Sequence, residues 1–256
     1  MPDPAADRPQ YLTEHLGELR QGLMKSSAFV ILGMVVAFWK SELLFDVLLK
    51  PFRDSLSHFP EFSAQVHTLQ TLTPIEAFMV NMKLAAIVGL VLASPFILWQ
   101  VWRFVAPALK PHERDGILMV FSLGLFFFLG GLAFGYFVIV PIAMRFLIRY
   151  NLDYHFIPQW TLQGYFGFVM NFLLVFGFVF ELPLVLAGLV TIGIATPAFL
   201  SQKRKHAIVG IFILAFFIAP SADPVTQTIV ALPLVVLYEI GILLSGLAFR
   251  RKNRVL

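Results

Sequence analysis

The chain has 256 residues, of which 59% are hydrophobic and 13% are charged, and its mean hydropathy is +0.82. A soluble domain carries about 25% charged residues, so this composition excludes an ordinary water-soluble globule and predicts lipid as the solvent for much of the chain. The net charge of +4 is better explained by basic loops beside a membrane than by nucleic-acid binding. Cysteine is absent, which excludes disulfides and thiol catalysis.

The N-terminal segment, residues 1–22, is polar and mixed in charge, and it lacks the apolar core and cleavage site of a signal peptide. On a helix, Glu14 and Glu18 share one face and leucines form the other, which predicts an amphipathic cytoplasmic segment leading into the first span. Compensation of the helix dipole explains Glu14, but Glu18 lies a full turn further in. Glu113, in a predicted loop, should face the same side. Two such carboxylates suit arginines on an incoming chain.

The apolar runs predict an all-α polytopic membrane protein, because a bilayer core about 30 Å thick needs about 20 helical residues. Six transmembrane helices are predicted, at 23–39, 74–107, 116–141, 161–190, 206–219 and 226–249. They form one integral-membrane domain over 1–256, with the bundle at 23–249 and a basic tail at 250–256. The second helix is long and helices five and six form a short hairpin, so we expect a concave bundle.

The basic residues orient the predicted bundle. About two thirds of the 19 lysines and arginines lie in the terminal segments and in the loops that share their side, which places both termini in the cytoplasm. Outer loops are predicted at 40–73 and 142–160. Within the first loop, 43–52 predicts an interfacial amphipathic helix that ends at Pro51. Bends are predicted at four prolines in or beside the spans, namely Pro95, Pro141, Pro183 and Pro233.

Two polar side chains fall where the sequence predicts lipid. Glu181 follows the uncharged run 161–180, and a carboxylate inside a membrane costs about 2.5–3.5 kcal/mol on insertion scales. It is either a structural acid, protonated or hydrogen-bonded within the chain, or a polar contact for a substrate or another helix. Gln227 begins the second helix of the short hairpin, below the outer interface, where its amide needs a hydrogen-bond partner.

Motifs of common hydrolases and nucleotide-binding proteins do not occur in the sequence. There is no HExxH, no GxSxG and no GxxxxGK[ST] pattern. We therefore predict that the protein is not an enzyme and that it has no catalytic residues, no metal and no cofactor.

Five stretches of the sequence resemble the TatC family, the core subunit of the twin-arginine protein translocase. They are HLGELR at 15–20, SPFILWQVWRFVAPALKPHER at 94–114, FLGGLAFGYFVIVP at 128–141, FGFVFELPL at 176–184 and DPVTQTIVALPLVVLYE at 223–239. They occur in order and are spread over residues 15–239, which is most of the length of the chain. Gly22 is a departure, since a basic residue often stands there in the family.

The resemblance implies a Sec-independent translocase subunit in the bacterial inner membrane that binds twin-arginine signal peptides of folded cargo. Glu18 and Glu113 match the positions of the cytoplasmic arginine-recognition site, and Arg20 and Phe104 match neighbours that shape it. Glu181 matches an intramembrane acid that contacts partner subunits.

The implied partners are single-span subunits of the TatA and TatB type, and Gln227 with the short hairpin resembles an edge that contacts them. The resemblance further implies self-association in a larger receptor complex and export driven by the proton-motive force.

Two other functions stay open at this point. A small secondary transporter could use Glu181 as its coupling acid, although such proteins often show inverted repeats and paired helix breaks, and neither is visible in the sequence. A purely structural assembly protein is the third possibility. Binding of a signal peptide separates the three.

Overall fold

The structure is a computed structural model that describes residues 12–60, 68–105, 117–156, 159–191, 193–219 and 224–254. These residues are helical apart from short connections, which confirms the predicted all-α class. The helices are α1 (Leu12–Trp39), α2 (Ser41–Ser57), α3 (Glu76–Val105), α4 (Ile117–Phe134), α5 (Val140–Asp153), α6 (Leu162–Val179), α7 (Leu182–Thr191), α8 (Pro197–Gln202), α9 (Arg204–Ile218) and α10 (Pro224–Arg254). The π-helical turn Gly135–Ile139 joins α4 to α5.

Five helical stretches among the described residues are long and apolar enough to cross a membrane. They are Leu19–Trp39, Glu76–Val101, Ser122–Asp153, Leu162–Thr191 and Gln227–Leu247. Each coincides with a predicted span. The remaining predicted span falls on α9, whose 15 residues give about 22 Å of helix, less than a typical bilayer core. A sixth crossing, the orientation of the termini, the single domain and the concave shape therefore stay predictions.

By its internal contacts the chain divides into two compact units, Met1–Ser41 with Met82–Leu125, and Glu42–Asn81 with Phe126–Leu256. Within the first unit, α1 packs directly against α3. A Cβ atom added at Gly33 would lie only 2.8 Å from the carbonyl oxygen of Gly89, so the two backbones touch at this crossing. Closer to the C-terminus of α3, the rings of Phe29 and Phe96 stack with centroids 4.1 Å apart.

In the second unit, α2 differs from the prediction, because the helix does not end at Pro51. It runs on to Ser57 and buries one face, formed by Leu48, Pro51, Phe52, Ser55 and Leu56. Proline lacks the N–H that would bond the carbonyl of Val47. The hydroxyl of Tyr136 donates to that carbonyl at 2.5 Å, and the hydroxyl of Tyr165 donates to the carbonyl of Leu48 at 2.6 Å. Side chains from other helices thus satisfy the carbonyls around the proline.

The predicted outer loop at 142–160 is largely helical, because α5 continues past Pro141 to Asp153, and its position outside the membrane stays a prediction. Just before this proline, the N–H of Val140 donates to the carbonyl of Gly135, five residues earlier, and forms the π-helical turn. The wider turn makes room for the proline ring, which would clash with a carbonyl in a regular helix. The helix therefore bulges at Pro141 and does not end there.

The predicted bend at Pro183 is confirmed as a break between two helices. The helix α6 ends at Val179, and α7 begins at Leu182, with Phe180 and Glu181 in the turn between them. Pro183 fits the first turn of α7, where its missing N–H would have no partner within the helix. The N–H groups of Leu184 and Val185 donate to the carbonyl of Glu181 at 3.0 Å each and start the new helix. Two further predicted bend sites, at Pro95 and Pro233, lie inside the continuous helices α3 and α10.

Candidate functional sites

The helix pair α1 and α3 holds a fixed antiparallel register. Gly33 lies beside Gly89, and eleven residues closer to the N-terminus of α1, Gly22 lies beside Gln100, which is eleven residues further along α3. A Cβ atom at Gly22 would lie 3.7 Å from Oε1 of Gln100. One more helical turn on each helix brings the backbone of Glu18 to the level of Phe104, since turns of paired helices advance together.

The four residues predicted to bind a signal peptide fall at the margin of what the structure describes. Glu18 lies in α1 and Phe104 in the last turn of α3, and for both the structure describes the backbone alone. Arg20 is an exposed residue of α1. Glu113 lies outside the described residues. The helix register thus brings Glu18 and Phe104 to one level, whereas the proximity of Glu113 to them stays a prediction.

Glu181 lies in the turn between α6 and α7, in the middle of the apolar stretch Leu162–Thr191. Its side chain is half-buried, and no described residue donates a hydrogen bond to its buried Oε1 atom. A buried acceptor without a donor costs about 1–3 kcal/mol, so the site suits a donor supplied from outside the described part of the chain.

Gln227 lies in the first turns of α10, and its amide Nε2 donates to the carbonyl of Phe212 on α9 at 2.8 Å. The predicted hydrogen-bond partner of the Gln227 amide is therefore found, for its nitrogen, within the hairpin of α9 and α10. Gln227 also lines an apolar groove of about 430 Å³ along α9, together with Ile208, Val209, Phe212, Ile213, Phe216 and Phe217. Phe217 is 78% exposed, so the groove opens to the surroundings of the helix.

Glu76 is a buried acid that the sequence analysis did not single out. Its side chain is 4% exposed, and its carboxylate accepts hydrogen bonds from the N–H groups of Leu72 at 2.7 Å and Gln163 at 2.9 Å. Gln163 belongs to the first turn of α6, where N–H groups have no partner within the helix. An acid in the first turn of α3 was visible in the sequence, but its second partner is 87 residues away.

Other contacts complete the N-terminus of α6. The N–H of Leu162 donates to the carbonyl of Gln70 at 2.8 Å, and the N–H of Gly164 donates to the hydroxyl of Thr161 at 3.0 Å. With the bond from Gln163 to Glu76, each of the first three N–H groups of α6 has an acceptor. The segment before α3 is therefore fastened to the start of α6.

The middle of α10 is held by polar side chains. Arg204 and Glu239 form an ion pair with a nitrogen–oxygen distance of 2.7 Å, and the hydroxyl of Tyr238 donates to the carbonyl of Leu200 at 2.8 Å. The hydrogen bond joins α10 to α8, and the ion pair joins α10 to α9. Glu239 thus has a structural partner, whereas Oε1 of Glu181 has no donor among the residues that the structure describes.

These features define a class of protein. Five apolar stretches of membrane-spanning length, a half-buried carboxylate inside one of them and an apolar groove along a short helix make a multi-pass helical membrane protein with surfaces suited to other helices. Among the described residues, no cluster of three or more histidine, aspartate and glutamate side chains could hold a metal ion.

The chain belongs to the TatC family, because the family model for the Sec-independent protein translocase protein matches residues 14–233. It is 38% identical over 239 residues to TatC of Carboxydothermus hydrogenoformans, covering 93% of this chain and 94% of the relative. TatC of Aquifex aeolicus is 37% identical over 245 residues, covering 95% and 98%.

A solved structure described as the twin-arginine translocase receptor TatC superposes with a TM-score of 0.75 at 36% identity. The alignment covers 91% of this chain and 99% of that chain. The relatives are named as components of a Sec-independent protein translocase. The assignment favours the translocase over the secondary transporter that the sequence alone left open.

Proposed function

We propose that this chain is the receptor subunit of a twin-arginine translocase and binds the signal peptides of folded cargo at its cytoplasmic face. Family membership and the register of α1 and α3, which puts Glu18 level with Phe104, support the proposal. In this proposal the carboxylates of Glu18 and Glu113 accept hydrogen bonds from the two arginines of the signal peptide. Arg20 and Phe104 shape the site beside them.

The chemistry of the proposed site follows from charge and geometry. A guanidinium group matches a carboxylate with two parallel hydrogen bonds, which an ammonium group cannot do. Each charge-assisted bond is worth about 1.5–3 kcal/mol, reduced toward 0–1 kcal/mol where water reaches the pair. Two carboxylates can therefore distinguish a pair of arginines from a pair of lysines.

Cross-linking tests the proposed site. The full chain, reconstituted in lipid nanodiscs, is photo-cross-linked to a twin-arginine signal peptide and to the same peptide with two lysines. We expect Glu113→Lys and Glu18→Gln to abolish the preference for arginine, and Glu42→Gln, a change at an exposed acid of α2, to leave it intact. Normal cross-linking and export by Glu113→Lys would show that the acids are assigned wrongly.

The proposal includes partner subunits of the TatA and TatB type with single membrane spans. Oε1 of Glu181 lacks a donor among the described residues, and the groove along α9 has the apolar lining that a partner helix would bury. Glu181 and Gln227 are the proposed polar contacts. The subunit further self-associates in the receptor complex, and export draws on the proton-motive force.

The proposed location is the bacterial inner membrane, with both termini in the cytoplasm and α9 as the sixth crossing. The short α9 crosses by local thinning of the bilayer, which costs only fractions of a kcal/mol per Å of mismatch. A phosphatase fused after Arg254 should be inactive and a cytoplasmic fluorescent reporter at the same position should be bright. Phosphatase activity outside the cytoplasm would contradict this topology.

A further inference from the structure

We propose that a cleft between α1 and α3 binds an anionic phospholipid, with Lys25 and Arg103 holding the phosphate of its headgroup. The cleft lies within the first compact unit and has a volume of about 460 Å³. It is distinct from the groove along α9 that is proposed for partner subunits. The site goes beyond the proposed function, and its ligand does not depend on the identity of the cargo.

The lining of the cleft carries positive charge. Lys25 of α1 and Arg103 of α3 both line the cleft, and Gln21 and Gln100 add amide groups to the lining. Neither cation forms an ion pair with a described residue, and no described side chain that lines the cleft is acidic. A phosphodiester carries one negative charge and oxygens that suit both an ammonium group and a guanidinium fork.

The cleft also has an open apolar wall. Ile31, Ile97 and Val101 line it, and Ile31 and Val101 are 61% and 54% exposed. Both helices belong to stretches long and apolar enough to span a membrane, so an acyl chain can lie against this wall without leaving the bilayer. A phospholipid needs cations for its headgroup and exposed hydrocarbon for its acyl chains, and the lining of the cleft offers both.

Gly22 keeps the middle of the cleft open. A Cβ atom there would meet only the side chain of Gln100, at 3.7 Å, which is an ordinary van der Waals contact. Alanine should therefore be tolerated at this position, whereas a leucine would project into the space of the ligand.

The charge of the cleft also selects against the signal peptide as its occupant. The proposed signal carries a pair of arginines, which Lys25 and Arg103 repel, while basic residues near the membrane surface attract anionic lipids. The cleft therefore complements a lipid headgroup and not a twin-arginine motif.

Lipid titration of the purified full chain tests the proposal. The delipidated protein in detergent is titrated with phosphatidylglycerol or phosphatidylcholine, and bound lipid is counted by native mass spectrometry. We expect a preference for phosphatidylglycerol. Loss of one cation near the membrane surface should weaken binding about fivefold, so Lys25→Gln with Arg103→Gln should weaken it about 25-fold. Lys83→Gln, at an exposed cation of α3 that does not line the cleft, is the matched control and should bind normally.

Steric and competition arms separate the possible ligands. Gly22→Leu should reduce lipid binding without changing charge, while Gly22→Ala should not. Glycerol phosphate, which lacks acyl chains, should fail to displace the lipid. Equal binding of both lipids, or normal phosphatidylglycerol binding by the double variant, would overturn the proposal.

The proposal would also be overturned if the double variant lost a twin-arginine peptide and kept the lipid, since the cleft would then serve the signal. Should Gly22→Leu fail to fold, the double variant decides alone, because both of its changes are at exposed side chains.

Discussion

Replacing Glu76 tests how the N-terminus of α6 is held. Its buried carboxylate accepts two backbone N–H groups, from Leu72 and Gln163, at 2.7 and 2.9 Å. Hydrogen bonds to a charged group contribute about 1.5–3 kcal/mol each, so Glu76→Ala should cost about 3 kcal/mol or more and leave two donors unpaired. Glu76→Gln keeps one acceptor oxygen and should cost about half as much.

Thermal unfolding of the purified protein in detergent measures the effect. For a chain of this size, 1 kcal/mol lowers the unfolding midpoint by about 2–4 °C, so Glu76→Ala should lower it by about 6–12 °C. Glu42→Ala is the control, because Glu42 is an exposed acid in the first turn of α2. If Glu76→Ala and Glu42→Ala unfold at the same temperature as the parent chain, the carboxylate does not hold α6 and the reasoning fails.

Two further changes test other parts of the structure. Glu181→Ala should reduce co-purification of single-span partners and leave the cross-link to a signal peptide unchanged, because it removes an acceptor far from Glu18 in sequence; an unchanged partner stoichiometry would contradict the proposed contact. A Cβ atom at Gly131 would lie 2.3 Å from the carbonyl oxygen of Phe176, whereas one at Gly130 would meet nothing within 4 Å. Gly131→Ala should therefore destabilise the chain by about 1–3 kcal/mol in the same unfolding assay and Gly130→Ala should not, and equal effects would refute close packing of α4 on α6.

The apolar helices could be predicted because membrane solvation acts on runs of residues. A stretch such as 74–107 needs no knowledge of its neighbours to be recognised as a span, since length and hydropathy decide it. The same local reasoning found Glu181, because an acid inside an apolar run stands out without any structure.

The prolines show where local reasoning stopped. Pro51 was expected to end a helix and Pro141 to bend one at the end of a span, yet the helix continues past both. Near Pro51 the hydroxyl of Tyr136 donates to the carbonyl of Val47, 89 residues away, and at Pro141 a π-helical turn makes room. Proline rules describe an isolated helix, and they fail where another helix provides the hydrogen bond.

Glu76 and the pair of Glu18 and Phe104 illustrate the same limit for the sites. The sequence shows each residue, but not that the acceptor of Gln163 comes from α3 or that α1 and α3 are in register. The first fact follows from the burial of the Glu76 carboxylate against α6. The second follows from the close approach of Gly33 and Gly89. The family resemblance assigns Glu18 and Phe104 to one site, and the register of α1 and α3 supplies an independent physical reason.

The crossing of Gly33 and Gly89 has a mechanical consequence. Only 11% of the spanning part of α1 is buried, so little side-chain packing would resist a pull along its axis. The interlocked backbones at this crossing prevent α1 from sliding past α3 without a steric clash. If the chain binds cargo as proposed, a pull on the N-terminal turns of α1 would load α1 and α3 together, because the close approach at the glycine crossing holds the two helices in register.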